Sequence, residues 1–338
     1  MYLSNIPPWF CFIVHPRQVS DLDQIGGASL IRRYSKDEEE FVRKACSSPP
    51  LVLGEVTTRG SSIRGEVIGA VRMPETMLTR EGLRAVVEAA DLAVQRGTSV
   101  IGLGALTAPV TGGGLFLLPR IPAGVTVTNG NALTAAMARE NVMEAAALRA
   151  LANPRIAVLG ATGSVGVAAS HLLADEGLDL ILIGRSAAPV RQRLGDLEHA
   201  AALTDDMAMV GDADIVLVLT SHPSARLRPH MLKPFATVVD FAQPANVPTR
   251  EYAEFRNAGI SIAEGGIVRI PGYRCTQDFF LETPEETFAC LAETYLLAST
   301  GLRDNSVGYP SPDFARTMSS LAAQHGIHPR PLGAALVG

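Results

Sequence analysis

Cys290 is one of only four cysteines in this chain of 338 residues, and its surroundings could place it for chemistry. It lies in "LETPEETFACLAETYLLAS", which has the signals of a helix start: Thr283 as N-cap, Pro284 at the first helical position and Glu286 to complete a capping box. The pattern predicts that Cys290 lies two turns into that helix, where the helix dipole hardly lowers the pKa of a thiol. Such a cysteine is either a core residue or a nucleophile, because free cysteine is among the most buried residue types.

A glycine-rich turn is the second feature that could do chemistry. In "VLGATGSVGVAA", three glycines follow an apolar strand and precede a helix. Glycines at this spacing allow a tight turn and a close approach of pyrophosphate, while the helix N-terminus offers N–H donors to the phosphates. The turn therefore predicts a dinucleotide site, with a plain strand-to-helix turn as the alternative. The predicted cofactor-binding residues here are Gly160, Thr162, Gly163, Ser164, Val165 and Gly166.

The end of the next strand, in "LILIGRSAAPVRQR", indicates which dinucleotide binds. Folds that bind NAD usually carry an Asp or Glu there for the ribose hydroxyls, whereas this chain has Gly184, Arg185 and Ser186. An arginine can pair with a 2′-phosphate through two hydrogen bonds, and Ser186 can donate to the same group. NADPH is therefore the predicted cofactor. In the alternative interpretation, Arg185 only caps the strand end.

Residues after the later strands complete the predicted cofactor cleft. Ligands of a doubly wound sheet lie at the carboxyl ends of its strands, which assigns Thr220 and Ser221 to the nicotinamide half and adds Gly265 of "AEGGIV". Asp240 either faces this cleft or caps its strand. His222 is either an acid catalyst or a solvated loop residue, and its position on a loop favours the second interpretation.

The elements that must position these residues indicate an α/β protein. From Arg155 onward, strands rich in Val, Ile and Leu alternate with helices, which predicts a Rossmann-like doubly wound parallel sheet. Its five predicted strands are "RIAVLGA", "LDLILIGR", "DADIVLVLT", "FATVVDFA" and "GISIAEGG". Upstream, a hairpin with its turn at Gly60, an amphipathic helix that ends at Gly97 and a short buried strand predict a second α/β lobe, for the substrate.

The predicted division of the chain has four parts. They are an N-terminal substrate lobe (1–130), a bridging helix (131–153), an NADP-binding Rossmann domain (154–270) and a C-terminal helical segment (271–338). The last segment carries Cys290 and is expected to pack on the N-terminal lobe.

Composition and charge exclude several classes of function. The net charge of -5 and the scattered basic residues argue against a nucleic-acid partner. No apolar run reaches the roughly 18 residues of a membrane helix, and "IPPWFCFIVHP" lacks the basic start and cleavage site of a signal peptide. The cysteines are isolated and have no histidine at ligand spacing. We therefore predict free thiols, no metal site and a cytoplasmic location.

A cysteine nucleophile combined with NADPH suggests one chemistry. The thiolate would accept an acyl group from an activated ester, and hydride would then reduce the enzyme-bound thioester. A simple ketone reductase needs no such cysteine.

Several motifs together resemble those of the cyanobacterial long-chain acyl-(acyl-carrier-protein) reductases, which are NADPH-dependent and form fatty aldehydes. The likeness covers most of the chain. It is carried by "RMPETML", "IGLGALTAP", "TNGNALTAA", "IAVLGATGSVG", "AEGGIV" and above all "FACLAETYLL". The resemblance implies that Cys290 accepts the acyl group and that residues 160–166 and 184–186 contact NADPH. It also implies an acyl thioester of a carrier protein or CoA as substrate, and an aldehyde product for a downstream enzyme.

Other segments depart from the family, namely "SNIPPWFCF", "PGYRCTQDFF" and the "TGGG" that follows "GALTAP". Because such loops would shape an acyl tunnel, the acyl group stays open between a long fatty chain and a shorter or functionalised one. For the oxyanion we expect backbone donors near Gly104 or at Gly265 and Gly266. The alternatives are a shikimate-dehydrogenase-like NADP reductase that transfers hydride directly, with Cys290 inert, and a non-catalytic NADP(H)-binding protein.

Overall fold

The computed structural model describes residues 9–220 and 222–333, and the chain divides into two compact units. Unit 1 comprises Met1–Gly130 and Arg269–Gly308, and unit 2 comprises Asn131–Val268 and Tyr309–Gly338. Within the described ranges, no helix is long and apolar enough to cross a membrane.

The described residues form fifteen strands and eleven α-helices, with short 3₁₀ turns between them. The strands are β1 (Phe10–Val14), β2 (Leu51–Thr58), β3 (Arg64–Gly69), β4 (Val100–Leu103), β5 (Thr126–Thr128), β6 (Arg155–Leu159), β7 (Asp179–Ile183), β8 (Ala201–Thr204), β9 (Ile215–Val218), β10 (Thr237–Asp240), β11 (Ser261–Glu264), β12 (Ile267–Arg269), β13 (Tyr273–Cys275), β14 (Glu286–Phe288) and β15 (His328–Pro329). The helices are α1 (Ala28–Arg33), α2 (Glu38–Cys46), α3 (Pro74–Met77), α4 (Arg80–Gln95), α5 (Thr107–Val110), α6 (Asn131–Leu148), α7 (Ser164–Asp175), α8 (Ala187–Leu194), α9 (Tyr252–Asn257), α10 (Ala289–Thr300) and α11 (Pro312–Gln324).

Unit 1 is built on a six-stranded sheet in the order β13-β2-β3-β1-β4-β5. Strands β3, β1, β4 and β5 run parallel, while β2 pairs antiparallel with β3 as the predicted hairpin. Successive side chains of β1 point to opposite faces. Cys11 and Ile13 join the core under α4, and the ring of Phe10 meets that of Tyr295 on α10. The carboxyl ends of β1, β4 and β5 thus lie at one edge of the sheet.

Unit 2 has six parallel strands in the order β11-β10-β9-β6-β7-β8. Counted from β6 as the first strand, this is the 3-2-1-4-5-6 order of the Rossmann fold. The predicted doubly wound parallel sheet is confirmed. The strand order reverses between β6 and β9, and a ligand crevice is expected at the carboxyl ends of those two strands.

Strand β8 is absent from the predicted set. It has the sequence "AALT", and its residues are exposed or half-buried because it lies at the edge of the sheet. Alanine is a poor marker of a strand, and an edge strand needs no continuous apolar run.

Helix α11 also differs from the predicted arrangement, because it belongs to unit 2 and not to the N-terminal lobe. Its buried side chains Ala315, Met318 and Ala322 recur at helical spacing, and the helix contacts α6 and α7. An ion pair from Arg316 to Asp175, with an N–O distance of 2.6 Å, joins α11 to α7. The segment after Gly308 therefore completes unit 2.

Candidate functional site

The helix that carries Cys290 begins later than its sequence predicts. Residues 286–288 are extended, Phe288 is the N-cap with a ψ of 146°, and α10 starts at Ala289. Cys290 is thus the second residue of the helix and not two turns into it. In the first turn, backbone N–H groups have no carbonyl partner within the helix and can lower the pKa of a thiol.

The capping-box residues explain why the prediction was wrong. Glu286 does accept the Thr283 N–H, at 3.4 Å, and its own N–H donates to the Thr283 carbonyl, so one turn closes there. The same Glu286 carboxylate is buried and forms an ion pair with Arg269 at 3.2 Å. The N–H of Ile270 donates to the carbonyl of Glu285. These pairings hold the chain extended through Phe288 and delay the helix.

Three backbone N–H groups lie around the sulfur of Cys290. Burial is the main reason that the pKa of this thiol is raised to about 12, although the residue keeps some accessible surface. The Glu293 carboxylate also raises the pKa, whereas hydrogen bonding from the N–H groups of Leu291, Cys290 and Ala105 lowers it. The thiol is therefore protonated at neutral pH. The surrounding donors favour a negative charge on the sulfur, or on the oxygen of an acyl carbon that is bonded to the sulfur.

The backbone of Gly130 supports the start of α10 from the carboxyl end of β5. It has a φ of +71°, and a Cβ built on it would lie 2.2 Å from the Cβ of Cys290. Only glycine allows this approach in this conformation. The N–H of Gly130 donates to the hydroxyl of Thr128, which in turn donates to the fully buried carboxylate of Glu293. Glu293 follows Cys290 by one helical turn, so this hydrogen-bond chain ties β5 to α10.

The loop after β4 places the backbone of Ala105 beside Cys290, and the side chain of His15 contacts the same loop. Ala105 has a φ of +49°, a left-handed conformation that costs a residue with a Cβ roughly 1–2 kcal/mol. The next residue, Leu106, donates its N–H to Nε2 of His15 at 3.3 Å. His15 directly follows β1 and is almost completely buried. His15 was not among the predicted site residues, and its only signal in the sequence is the apolar run "FCFIV" before it.

The glycine turn of unit 2 has the geometry of a phosphate cradle. Gly160 has a φ of +95°, and a Cβ on it would lie 3.0 Å from the Cβ of Thr220, across the β6–β9 switch point. A Cβ on Gly166 would lie 2.2 Å from the Gly160 carbonyl oxygen. Gly163 is the N-cap of the 12-residue helix α7 and has no side chain to cap it. A dinucleotide's pyrophosphate therefore fits the residues present.

The other residues predicted in this turn are also in place. Val165 is half-buried in the first turn of α7, and the hydroxyl of Ser164 accepts a hydrogen bond from the Asn131 amide at 2.8 Å. The carbonyl of Thr162 accepts from Arg193 at 2.6 Å. The guanidinium of Arg193 also lies over the ring of Tyr309, 4.4 Å from its centroid. These contacts fix the backbone of the turn from its outer side.

The two predicted selector residues lie at the start of α8. Ser186 is its N-cap and its hydroxyl makes no capping bond, while Arg185 is exposed and forms no ion pair within the described ranges. The Asp205 carboxylate accepts the Ala187 N–H at 2.9 Å and so occupies a donor of the helix start. The Arg185 guanidinium and the Ser186 hydroxyl could therefore contact an anionic group at this helix start, although the Asp205 carboxylate lies nearby and would repel it.

The remaining predicted cofactor-binding residues are Thr220, Ser221 and Gly265. Thr220 is half-buried after β9, and its hydroxyl accepts the His222 N–H at 3.2 Å, whereas Ser221 lies outside the described residues. The N–H of Gly265 donates to the carbonyl of Asp240 at 2.9 Å, so Gly265 is not the oxyanion donor that its sequence suggested. Its lack of a side chain makes room for a phenylalanine ring, since a Cβ would lie 2.1 Å from Phe241.

Asp240 and His222 have structural positions. The two carboxylate oxygens of Asp240 accept the N–H groups of Ala242 and Val247, both at 2.9 Å, so this side chain caps its strand. Burial raises the pKa of Asp240 to about 6, although these bonds lower it. His222 is exposed and bonds to Ser224 at 2.7 Å through Nδ1. Neither contact points to acid catalysis.

Comparisons with known proteins leave the family open. No family model matches the chain. It is similar to aminotransferase PigE of Serratia sp. (strain ATCC 39006), with 24% identity over 348 residues that cover 96% of this chain and 40% of that protein. The chain thus spans about two fifths of the length of this curated relative.

Solved structures give only weak matches. They include shikimate 5-dehydrogenase of Thermus thermophilus in complex with NADP(H) and shikimate (14% identity, TM-score 0.41, 93% of this chain and 98% of that chain). A second match is shikimate dehydrogenase of Aquifex aeolicus (10% identity, TM-score 0.42, 94% of this chain and 99% of that chain). A third is L-tryptophan dehydrogenase of Nostoc punctiforme (14% identity, TM-score 0.40, 94% of this chain and 80% of that chain). At these scores the function must be argued from the residues of the chain itself.

Proposed function

We propose that the protein is an NADPH-dependent oxidoreductase that reduces an acyl thioester to an aldehyde through an acyl group bound to Cys290. The observation that carries the proposal is the thiol of Cys290 in the first turn of α10, with the N–H groups of Ala105, Cys290 and Leu291 around it. Acyl transfer needs a nucleophile beside donors for an oxyanion, and both are present here. The motifs shared with acyl-(acyl-carrier-protein) reductases support the same reaction.

In the first step, the sulfur of Cys290 attacks the carbonyl carbon of the substrate thioester. A new S–C bond forms, and the backbone N–H groups stabilise the negative charge that develops on the carbonyl oxygen. The bond to the carrier's sulfur then breaks. The carrier leaves as a thiol with the proton that Cys290 has lost, so the step needs no oxidant or reductant. Because the pKa of Cys290 is raised to about 12, this proton must leave as the S–C bond forms.

The residues of unit 2 fit NADPH as the second reactant. The backbone of the Gly160–Gly166 turn would hold the pyrophosphate, and Arg185 with Ser186 would hold the 2′-phosphate. When bound, NADPH supplies the hydride whose two electrons reduce the acyl thioester to an aldehyde and free the cysteine. We propose a carrier protein or CoA as the thiol part of the substrate, and an aldehyde-consuming enzyme as a downstream partner.

Intact-protein mass spectrometry tests the proposal directly. The protein is incubated with a panel of acyl-CoA and acyl-carrier thioesters without NADPH, and peptide mapping locates any added mass. We expect one acyl group on Cys290, and its release as aldehyde when NADPH is added. The Cys290→Ala variant should take up no acyl group and form no aldehyde while binding NADPH within a few-fold.

Cys46 provides the matched control, since it is a half-buried free cysteine in the same unit. The Cys46→Ala variant should be acylated and reduced like the unchanged protein. Aldehyde formation by Cys290→Ala at the normal rate would exclude a covalent intermediate.

A second candidate is direct hydride transfer to a small carbonyl substrate, with Cys290 inert. The observation that favours it is the raised pKa of the thiol, since an unreactive core cysteine has the same property. Alkylation with iodoacetamide separates the two candidates. Under the proposed function, labelling of Cys290 abolishes turnover in proportion to the labelled fraction, and saturating acyl thioester protects the thiol. Turnover that survives complete labelling would support direct transfer.

The name of the Serratia relative suggests a third activity that this chain does not support. Aminotransferases that use pyridoxal phosphate hold it on a desolvated lysine. This chain has three lysines. Lys36 is exposed, while Lys44 and Lys233 are paired with Glu40 and Asp214 near the surface. None of these lysines is desolvated, so we do not propose aminotransferase activity for this chain.

A further inference from the structure

We propose that His15 is the positioning residue of an oxyanion hole formed by the backbone N–H groups of Ala105 and Leu291. This inference rests on the proposed function and extends it to a residue that no motif marks. His15 itself contacts neither the sulfur nor the donors. It acts through Leu106, whose N–H it accepts, and thereby fixes the peptide that precedes Leu106.

The Ala105 donor is held from both sides. Before it, the N–H of Gly104 donates to the carbonyl of Ile13 at 2.9 Å, and the Gly104 carbonyl accepts the hydroxyl of Thr107 at 2.7 Å. After it, the N–H of Leu106 donates to Nε2 of His15 at 3.3 Å. Residues with a Cβ keep a left-handed conformation only where their surroundings determine it. The Thr107 hydroxyl also lies 3.4 Å from the Ile13 carbonyl of β1, and the bond to His15 adds a side chain from the residue that follows β1.

The hydrogen bonds of His15 also determine its tautomer. Because Nε2 accepts the Leu106 N–H, the proton is on Nδ1, which donates to the Pro16 carbonyl at 2.7 Å. Burial lowers the pKa of His15, so the ring is neutral at pH 7 and keeps its acceptor. A protonated ring would carry a hydrogen on Nε2, which would face the N–H of Leu106 and break the bond.

The charged groups around His15 have opposing effects. The Pro16 carbonyl raises the pKa of the imidazole and the Arg17 guanidinium lowers it, while Asp21 and Glu75 raise it. Their combined effect is smaller than that of burial, because the pKa stays below its usual value of 6.5. Loss of the Nε2 acceptor is therefore expected only in acid.

Two reactions of the same thiol give a sharp test. Acylation of Cys290 by an acyl-CoA passes through an oxyanion and needs the hole, whereas alkylation by iodoacetamide does not. We propose to measure both rates by mass spectrometry in the absence of NADPH. The variants are His15→Leu, which removes the acceptor at similar size, and His15→Gln, whose side-chain carbonyl can accept the Leu106 N–H.

His15→Leu should acylate about 10²–10³ times more slowly than the unchanged protein, the usual effect of losing one oxyanion donor, with alkylation within about threefold. His15→Gln should recover most of the acylation rate. Acylation of His15→Leu at the normal rate, or a parallel loss of both reactions, would overturn the inference. If the unchanged protein is not acylated at all, the proposed function itself fails, and the role of His15 fails with it.

The pH dependence provides a second measurement. We follow the ratio of the acylation rate to the alkylation rate, and His15→Gln, which has no titrating ring at this position, provides the reference ratio at each pH. In the unchanged protein this ratio should fall as the pH drops below 6.5 and His15 gains a proton, and in His15→Gln it should stay level. If the ratio in the unchanged protein stays level, like that of His15→Gln, down to the pH at which the protein begins to unfold, the role of Nε2 is contradicted.

Discussion

Replacing Gly130 by alanine tests the contact that places Cys290 at the start of α10. The backbone of Gly130 is left-handed, with a φ of +71°. A Cβ at this position would lie 2.2 Å from the Cβ and 2.3 Å from the Cα of Cys290, and 3.0 Å from its carbonyl oxygen. Two of these three atoms are backbone, so no side-chain rotation relieves the overlap. The first turn of the helix must shift.

The cost has two parts that a matched variant separates. Gly60 lies in the hairpin turn of the same unit with a φ of +77°, and nothing lies within 4 Å of a Cβ built there. Alanine in a left-handed conformation costs roughly 1–2 kcal/mol at either position. Overpacking adds roughly 1–3 kcal/mol at Gly130 alone. The difference between the two variants therefore measures the contact with Cys290.

Thermal unfolding and acylation are the two assays. In domains of 150–250 residues, 1 kcal/mol shifts the melting temperature by about 2–4 °C, so Gly130→Ala should melt about 2–12 °C below Gly60→Ala. Acylation of Cys290 should slow in Gly130→Ala and stay normal in Gly60→Ala. If the two variants melt within about 1 °C of each other, Gly130 does not support the cysteine as described.

Two further predictions concern the nucleotide-binding unit. In Gly166→Ala, the new Cβ would meet the Gly160 carbonyl oxygen at 2.2 Å and open the turn, so NADPH should bind at least tenfold more weakly in calorimetry. Gly195→Ala, which has free space around its Cβ, should bind normally, and equal binding by both variants would rule out the cradle. Arg185→Ala should weaken the binding of NADPH about 10- to 150-fold and leave the binding of NADH unchanged. This range corresponds to the roughly 1.5–3 kcal/mol that hydrogen bonds to a charged group contribute. The exposed Arg250→Ala is its control, and an equal effect on both nucleotides would remove Arg185 as the selector.

The parts of the structure that could be predicted are those with local causes. The β6 strand, the glycine turn and α7 follow one another along the chain, and Gly163 and Gly166 are required by contacts within six residues, whereas Gly160 also meets Thr220 at the end of β9. Helix α4 likewise ends within two residues of the predicted stop at Gly97. Strand β8 was missed because its edge position needs no apolar pattern. Helix α11 was predicted to pack on the N-terminal lobe but packs on α6 and α7, because its position depends on a surface that these two helices form far away in the sequence.

The candidate cysteine site shows the same division more sharply. The sequence by itself determined the Rossmann-like sheet and singled out Cys290 as a candidate nucleophile, because both depend on neighbouring residues along the chain. Tertiary structure decided that α10 starts at Ala289 and not near Thr283, because Glu286 pairs with Arg269 and keeps the chain extended. It also brings His15 to its hydrogen-bond partner Leu106, which is 91 residues away along the chain and lies near it because β1 and β4 are adjacent parallel strands.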